Sequence, residues 1–179
     1  TQAGIQVANA GSIGQTTSFF MRGMDSGKVL VLIDGMRLND PSTTNGTALL
    51  DSLTINNIEQ IEIIKGGSNS IWGSNASAGI INIITKVPKD GVHGSLAFSY
   101  GSYNTKIVDT DLSYKDKKIT AQVLGSYLKT DGFSALAPRN AEDDGYENKN
   151  GNIKLGYTLD DNNNVMLSYN RYKTNTQYD

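Results

Sequence analysis

Ile61-Glu-Ile-Ile-Lys-Gly-Gly-Ser-Asn-Ser-Ile-Trp-Gly-Ser-Asn-Ala-Ser-Ala-Gly-Ile-Ile-Asn-Ile-Ile-Thr-Lys86 holds two strongly apolar segments around a connection of Gly, Ser, Asn and Ala. The flanks are short and rich in β-branched residues, with Gly at their inner ends, which favours strands over buried helix. Ile80-Ile-Asn-Ile-Ile84 is apolar almost without a break, the pattern of a strand covered on both faces. The connection contains no Gly-Lys-Ser/Thr and no Gly-x-Gly-x-x-Gly opening a helix, so it is not a phosphate cradle. Its small residues instead let backbones approach closely, as in a loop packed on a rigid support. Trp72, alone in that loop, reads as a packing anchor rather than a ligand stacker.

Working outward, Val29-Leu-Val-Leu-Ile33 is a second continuous apolar run, closed by Asp34-Gly35. An Asp-Gly pair after such a run is a strong hairpin signal, with Met36-Arg-Leu38 as the return strand. Ala48-Leu-Leu and Asn57–Ile61 are expected to carry short helical turns. Residues 1–88 therefore read as a small α+β globule.

The pattern changes near Pro88 from continuous runs to strict alternation, the mark of strands with one apolar face. Leu96, Phe98 and Tyr100 alternate with Ala97 and Ser99, and Val108, Leu112 and Tyr114 with Asp109, Asp111 and Ser113. Ile119, Ala121, Val123 and Tyr127 oppose Thr120, Gln122 and Ser126; Ile153, Leu155 and Tyr157 oppose Asn152 and Lys154; Val165, Leu167 and Tyr169 oppose Asn164, Ser168 and Asn170. Residues 89–179 thus predict about five amphipathic strands. Asp116-Lys117 and Asp160–Asn163 are tight turns, whereas Thr130–Lys149 is a long polar loop. Short turns at one end and long loops at the other are the habit of outer-membrane barrels. Tyr100, Tyr103, Tyr114, Tyr127, Tyr157, Tyr169 and Tyr172 lie near strand ends and suit an aromatic girdle. Alternation alone leaves a soluble meander open as an equal reading.

Bulk composition removes other classes. The 179 residues carry a net charge of −2, no cysteine and one histidine. No basic field attracts nucleic acid, and thiolate chemistry is excluded. His93, in Asp-Gly-Val-His-Gly, reads as solvated. With no Gly-x-Ser-x-Gly elbow, the sequence predicts no enzyme.

The blocks Phe20-Met-Arg-Gly23, Val29–Asn39, Ile58–Gly67, Ser70-Ile-Trp-Gly73 and Ala78–Thr85, in that order and spacing, resemble the plug domain of TonB-dependent outer-membrane receptors. The following strands resemble the start of that family's 22-stranded barrel. The resemblance implies a Gram-negative outer-membrane transporter that imports a large scarce nutrient, energised by TonB through a box lying ahead of this segment. It implies that Arg22 above all, with Arg37, Glu59, Glu62 and Lys65, forms a latch of charges between plug and barrel wall, since buried charge is tolerated only when paired. It also implies ligand contacts from the apical segments of the plug: Asn9, Ser12, Gln15 and Thr16, then Thr43, Thr44 and Asn45, with the tip near Asn69 as a third.

Those segments are rich in Gly, Ser, Thr and Asn and lack clustered Arg or Lys, which leans toward a large neutral ligand. Gly14–Gly23 is similar to the cobalamin-receptor type. So is Asp131-Gly-Phe133 followed by Glu142-Asp-Asp-Gly-Tyr146, where that type binds calcium. Glu142, Asp143, Asp144 and Asp179 are therefore expected as calcium ligands, of the oxygen type that suits this ion. Ser134 and Glu142 depart from the pattern. The alternatives are a catecholate ferric siderophore or colicin-type receptor, and, from another class, a surface module that binds without transport. Five strands cannot close a barrel, so the segment is expected to self-associate through open strand edges or to be part of a larger barrel embedded in outer-membrane lipid.

Overall fold

In the computed structural model, the described residues are 4–9, 13–14, 17–42, 45–48, 50, 55–66, 72, 76–134, 143–160 and 162–177. The chain divides between Lys86 and Val87 into two compact units.

The first unit opens with a two-stranded antiparallel sheet, β1 (Ile5–Asn9) and β2 (Thr17–Met21). A four-stranded sheet follows, built from β3 (Val29–Ile33), β4 (Met36–Arg37), β5 (Ile58–Lys65) and β6 (Gly79–Thr85) in the order β4-β3-β6-β5. β3 and β6 run parallel in the middle, and both are largely buried, as their unbroken apolar runs require. The two apolar segments around the small-residue connection are neighbours, β5 pairing antiparallel with β6.

The Asp34-Gly35 turn forms as expected. Ile33 pairs with Met36, and both turn residues have positive φ (47° and 80°), the conformation that a two-residue hairpin demands. The return strand stops at Arg37, one residue earlier than expected. The helical turn expected over Asn57–Ile61 is corrected: a 3-10 turn covers Ile55–Asn57 and Ile58 already begins β5. The open edge of β6 and the β-branched Ile58, Ile61, Ile63 and Ile64 outweigh any local helical preference. Ala48 forms an antiparallel bridge with Asn39 rather than a helical turn; Leu49 lies outside the described residues.

The main core gathers Phe19, Met21, Val29, Val31, Ala48, Ala78 and Ile83 on one face of the four-stranded sheet. Leu30, Leu32, Ala76 and Ile80 form a smaller cluster on the other. Gly79 lies against Met21 of the main core and the backbone of Ile64. A Cβ there would lie 2.5 Å from the carbonyl oxygen of Ile64, and its φ of 151° disfavours any side chain.

The second unit contains a five-stranded antiparallel meander: β7 (Gly91–Gly101), β8 (Thr105–Lys115), β9 (Ile119–Thr130), β10 (Tyr146–Asp160) and β11 (Asn163–Thr176). All five expected strands are present, in sequence order. β10 starts at Tyr146 rather than Asn152, so the long connection shortens to residues 131–145. Tyr146-Glu-Asn-Lys-Asn-Gly151 carries no apolar alternation, yet it pairs without interruption with both β9 and β11. His93 is exposed in β7, not in a loop.

Candidate functional site

Two polar anchors hold the first unit together, one at each end of β3. Where β4 ends, the Asn39 side chain takes over the edge of β3. Its Oδ1 accepts from the Val31 N–H (2.8 Å), and its Nδ2 donates to the carbonyls of Val29 (3.0 Å) and Gly46 (2.8 Å). Asn39 is 5% exposed, so these bonds satisfy groups that water does not reach. The loop it grips closes through Asp40 N–H to Thr47 O (3.0 Å). Asp40 also accepts from the Ser42 N–H (2.8 Å), and hydrogen bonds from Ser42 hold its carboxyl below the usual range. The second anchor is Asp34, whose carboxylate accepts from both the N–H (2.9 Å) and the hydroxyl (2.5 Å) of Thr85. It ties the β3–β4 turn to the end of β6. Sequence reasoning assigned neither residue a role beyond the turn signal of Asp34.

Of the apical residues expected to meet ligand, Asn45 is exposed in the loop that Asn39 closes, and Asn9 ends β1 opposite Thr17. Ser12, Gln15, Thr16, Thr43, Thr44 and Asn69 lie outside the described residues. Trp72 is 46% exposed.

The charges expected to form a latch are not one cluster. Arg22 is exposed with φ of 54° in the tight turn that joins Met21 to Met24 through two 3.0 Å backbone bonds. Arg37, Leu32, Asn82 and Glu62 occupy one level of the four-stranded sheet and share a face. Arg37 is exposed at one edge; Glu62, at the other, accepts from Asn82 Nδ2 (3.0 Å) and Gln60 Nε2 (3.3 Å). Lys65 is exposed on the opposite face from Glu62, and Glu59 is exposed beside the irregularity between Ile58 and Gln60.

Of the expected calcium ligands, Glu142 and Asp179 lie outside the described residues. Asp143 is exposed while the adjacent Asp144 is buried. Asp143, Asp131, Glu147 and Lys129 border a half-open cavity of about 310 Å³ at the loop end of β9 and β10. Asp131 accepts from Asn104 Nδ2 (3.1 Å), which ties the 131–145 connection to the β7–β8 turn. Among the described residues no three acidic or histidine side chains converge well enough to hold a metal ion.

The five-stranded sheet has two distinct faces. One is polar: Ser126 donates to Asp109 (2.6 Å), Gln122 to Asp111 (3.3 Å), and Asn152 to Asn170. Buried Gln122, Asn148 and Asn152 each keep a side-chain oxygen without a hydrogen-bond partner among the described residues. The other face is apolar and exposed: Val92, Leu96, Phe98, Leu112, Val123, Ile153, Leu155, Val165, Leu167 and Tyr169. Register fixes the shape of this apolar band. Its upper limit falls at Tyr100 on β7, Val108 on β8, Tyr127 on β9, Ile153 on β10 and Tyr169 on β11. Ile153 and Tyr169 are level with Val123, whereas Tyr100 is level with Lys129. The limit therefore drops by about six residues, roughly 20 Å, across four strand spacings of about 4.8 Å each. A slope of about 45° is the tilt at which strands cross a membrane in closed barrels.

With this geometry in view, the comparisons with known proteins are specific. The model for the TonB-dependent Receptor Plug Domain matches residues 1–80. Over these residues the chain is similar to TonB-dependent receptor plug domains. Proteins with this plug are outer-membrane receptors of Gram-negative bacteria, and the Gram-negative outer membrane is the compartment of this chain. The fold of plug and strands together is similar to the siderophore receptor PirA from Acinetobacter baumannii, at 23% identity and TM-score 0.76, over 98% of this chain and 28% of that one. It is similar to the copper transporter OprC at 19% identity and TM-score 0.77, over 98% and 27% of the two chains. The pyoverdine outer membrane receptor FpvA from Pseudomonas aeruginosa PAO1 matches at 15% identity and TM-score 0.78, over 97% and 24%. The chain thus spans about a quarter of the length of these proteins.

Proposed function

We propose that this chain is the plug and opening barrel strands of a TonB-energised importer whose cargo is a ferric siderophore. The observation that carries the importer reading is the slanted apolar band directly following a plug domain. A soluble meander has no reason to offset its apolar limit strand by strand, whereas tilted strands in a flat bilayer must. β7 and β11 each have one edge unpaired within the sheet, and the remaining barrel strands are the natural occupants.

Siderophore is preferred over cobalamin for two reasons. The similar folds include receptors named for siderophores and pyoverdine. The acidic hairpin that favoured cobalamin departs from that receptor type's pattern at Ser134 and Glu142, which weakens its support for a calcium-dependent cobalamin site. The candidate ligand contacts remain the apical residues Asn9, Ser12, Gln15, Thr16, Thr43, Thr44 and Asn45, whose neutral groups by themselves favour an uncharged ligand surface. Arg22, Arg37 and Glu62 are the residues of the latch, released when TonB pulls.

The test is binding by the full-length receptor in detergent. A panel of ferric catecholate and hydroxamate chelates and cobalamin is titrated, each with calcium and again with chelator. Tight binding of one ferric chelate, insensitive to calcium, is expected. Tight cobalamin binding that weakens on chelation would reverse the ligand assignment and restore calcium at Asp143 and Asp144.

A further inference from the structure

The dipeptide Asn-Gly occurs twice, at Asn45-Gly46 and at Asn150-Gly151. Asparagine before glycine is chemically labile, because glycine carries no side chain to keep its backbone nitrogen from the asparagine side-chain carbonyl. The fold puts the two copies in opposite circumstances. Asn45 is exposed, in the loop that Asp40 and Thr47 close, and Gly46 has φ of 62°. Nothing among the described residues accepts from the Gly46 N–H, so no hydrogen bond has to break before its nitrogen attacks. Asn150-Gly151 lies inside β10, which is paired on both sides, so the Gly151 N–H is held in a ladder. A further contact bears on the product. Gly27 is buried, its N–H is held by Asp25 (2.8 Å), and a Cβ on it would run into the Asn45 carbonyl oxygen. The Asn45 backbone carbonyl is therefore packed on the Gly27 backbone, and the exposed surface of Asn45 is that of its side chain.

We propose that Asn45 is a site of spontaneous deamidation, with water as the co-reactant and aspartate as the main product. The Gly46 nitrogen gives up its proton and bonds to the Asn45 side-chain carbonyl carbon, and the side-chain nitrogen leaves as ammonia. Water then opens the cyclic imide. Attack at the backbone carbonyl leaves isoaspartate and lengthens the chain by a methylene; attack at the side-chain carbonyl leaves aspartate and the original chain. Packing on Gly27 shields the first carbonyl, so water takes the second. The loop gains a carboxylate while the Asn39 grip on the Gly46 carbonyl (2.8 Å) persists. The consequence for binding rests on the siderophore reading of this loop: the new charge opposes an anionic ferric chelate, and affinity falls as the receptor ages.

The test uses the full-length receptor in detergent, incubated at mildly alkaline and at acidic pH, with synthetic peptides of both Asn-Gly sequences aged alongside. Samples are digested, and the products at each site are separated and identified by mass spectrometry. In the alkaline folded receptor Asn45 is expected to convert about tenfold or more faster than Asn150, since the laddered amide must first open, while the free peptides convert alike. The folded product at Asn45 is expected to be mainly aspartate, and that of the free peptide mainly isoaspartate. Asn45→Gln, whose longer side chain closes the ring poorly, abolishes the conversion. An unconverted Asn45, or equal rates at Asn45 and Asn150, overturns the site. Mainly isoaspartate in the folded receptor overturns the shielding by Gly27. Asn45→Asp, titrated with a ferric tris-catecholate chelate, is expected to bind about fivefold more weakly than the parent. Unchanged affinity, with conversion as expected, overturns the ligand-facing reading of the loop and leaves the modification standing.

Discussion

The slant of the apolar band predicts that two positions level with each other on the sheet differ in tolerance to charge. Leu96 on β7 is level with Gly151 on β10, through Thr110 and Gly125. Both belong to the face that carries the band. Leu96 lies midway between Val92 and Tyr100, at the centre of the band on its strand. Gly151 lies two residues above Ile153, past the band's limit, and is paired with Arg171. A Cβ added at Gly151 meets nothing within 4 Å, so Gly151→Arg adds a side chain in open space. Arg at the bilayer midplane costs about 2–4 kcal/mol, falling to about 0–1 kcal/mol near the interface. Leu96→Arg is therefore expected to destabilise by roughly 2 kcal/mol or more beyond Gly151→Arg, with Ser95→Arg, on the polar face, as control. The assay is reversible urea unfolding of the full-length receptor in phosphatidylcholine vesicles, comparing midpoints at constant slope. Equal costs at Leu96 and Gly151 would refute the tilt. Costs within about 0.5 kcal/mol at both would favour the soluble meander, where each is merely an exposed surface site.

Three further outcomes follow from the contacts. Asn39→Ala removes three bonds and strands the buried Val31 N–H; at about 1–3 kcal/mol for an unsatisfied buried group, amide exchange across Val29–Ile33 in the full-length receptor accelerates by about fivefold or more, while Met36→Ala, at an exposed position, leaves it unchanged. Gly79→Ala drives its Cβ into the Ile64 carbonyl and Met21 sulfur, and costs about 1–3 kcal/mol as an overpacked core site, read as loss of protection in β5 and β6; unaltered exchange would show that β5 can move aside. Asp116 accepts from the N–H groups of Ile119 (2.6 Å) and Lys118 (2.7 Å) and from the Tyr114 hydroxyl (2.7 Å), with the Ile119 bond the largest cause of its lowered pKa. A depressed carboxyl stabilises the turn above its ordinary value of 3.8 and loses that effect as pH falls through the folded value. Exchange at Lys118 and Ile119, corrected for intrinsic rates, should stay protected at pH 5 and rise below pH 3.8; Asp116→Asn should flatten that rise.

The sequence made strands legible wherever a period existed. Continuous runs marked β3 and β6, alternation marked β7 to β11, and Asp34-Gly35 marked its own turn. It failed where pairing, not period, makes the strand. Tyr146–Gly151 has no apolar alternation, so nothing local announces it; the hydrogen-bonding edges of β9 and β11 recruit it. Ile58–Ile61 likewise becomes strand because β6 offers an edge. Asn39 and Thr85 were invisible as anchors because their partners are set by tertiary placement, eight and fifty-one residues away in Val31 and Asp34.

The same distinction explains why function emerged at the level of register rather than of motif. Each of β7 to β11, taken alone, is an amphipathic segment that a soluble sheet would also use. Only the pairing of Tyr100 with Lys106, Lys106 with Lys129, and Lys129 with Glu147 reveals that the apolar limit descends as the sheet is crossed. A bilayer imposes that descent because its surface is flat while the strands are tilted. Cations distributed by solubility alone would scatter over the polar face as readily as the apolar one. Lys115 and Lys154 lie on the polar face, whereas Lys106, Lys129, Lys149, Arg171 and Lys173 follow the descending limit on the apolar one. Composition, at a net charge of −2, hides this line of five cations. The limit of the band and the line of cations are thus two readings of one physical surface, the plane where hydrocarbon ends and headgroups begin.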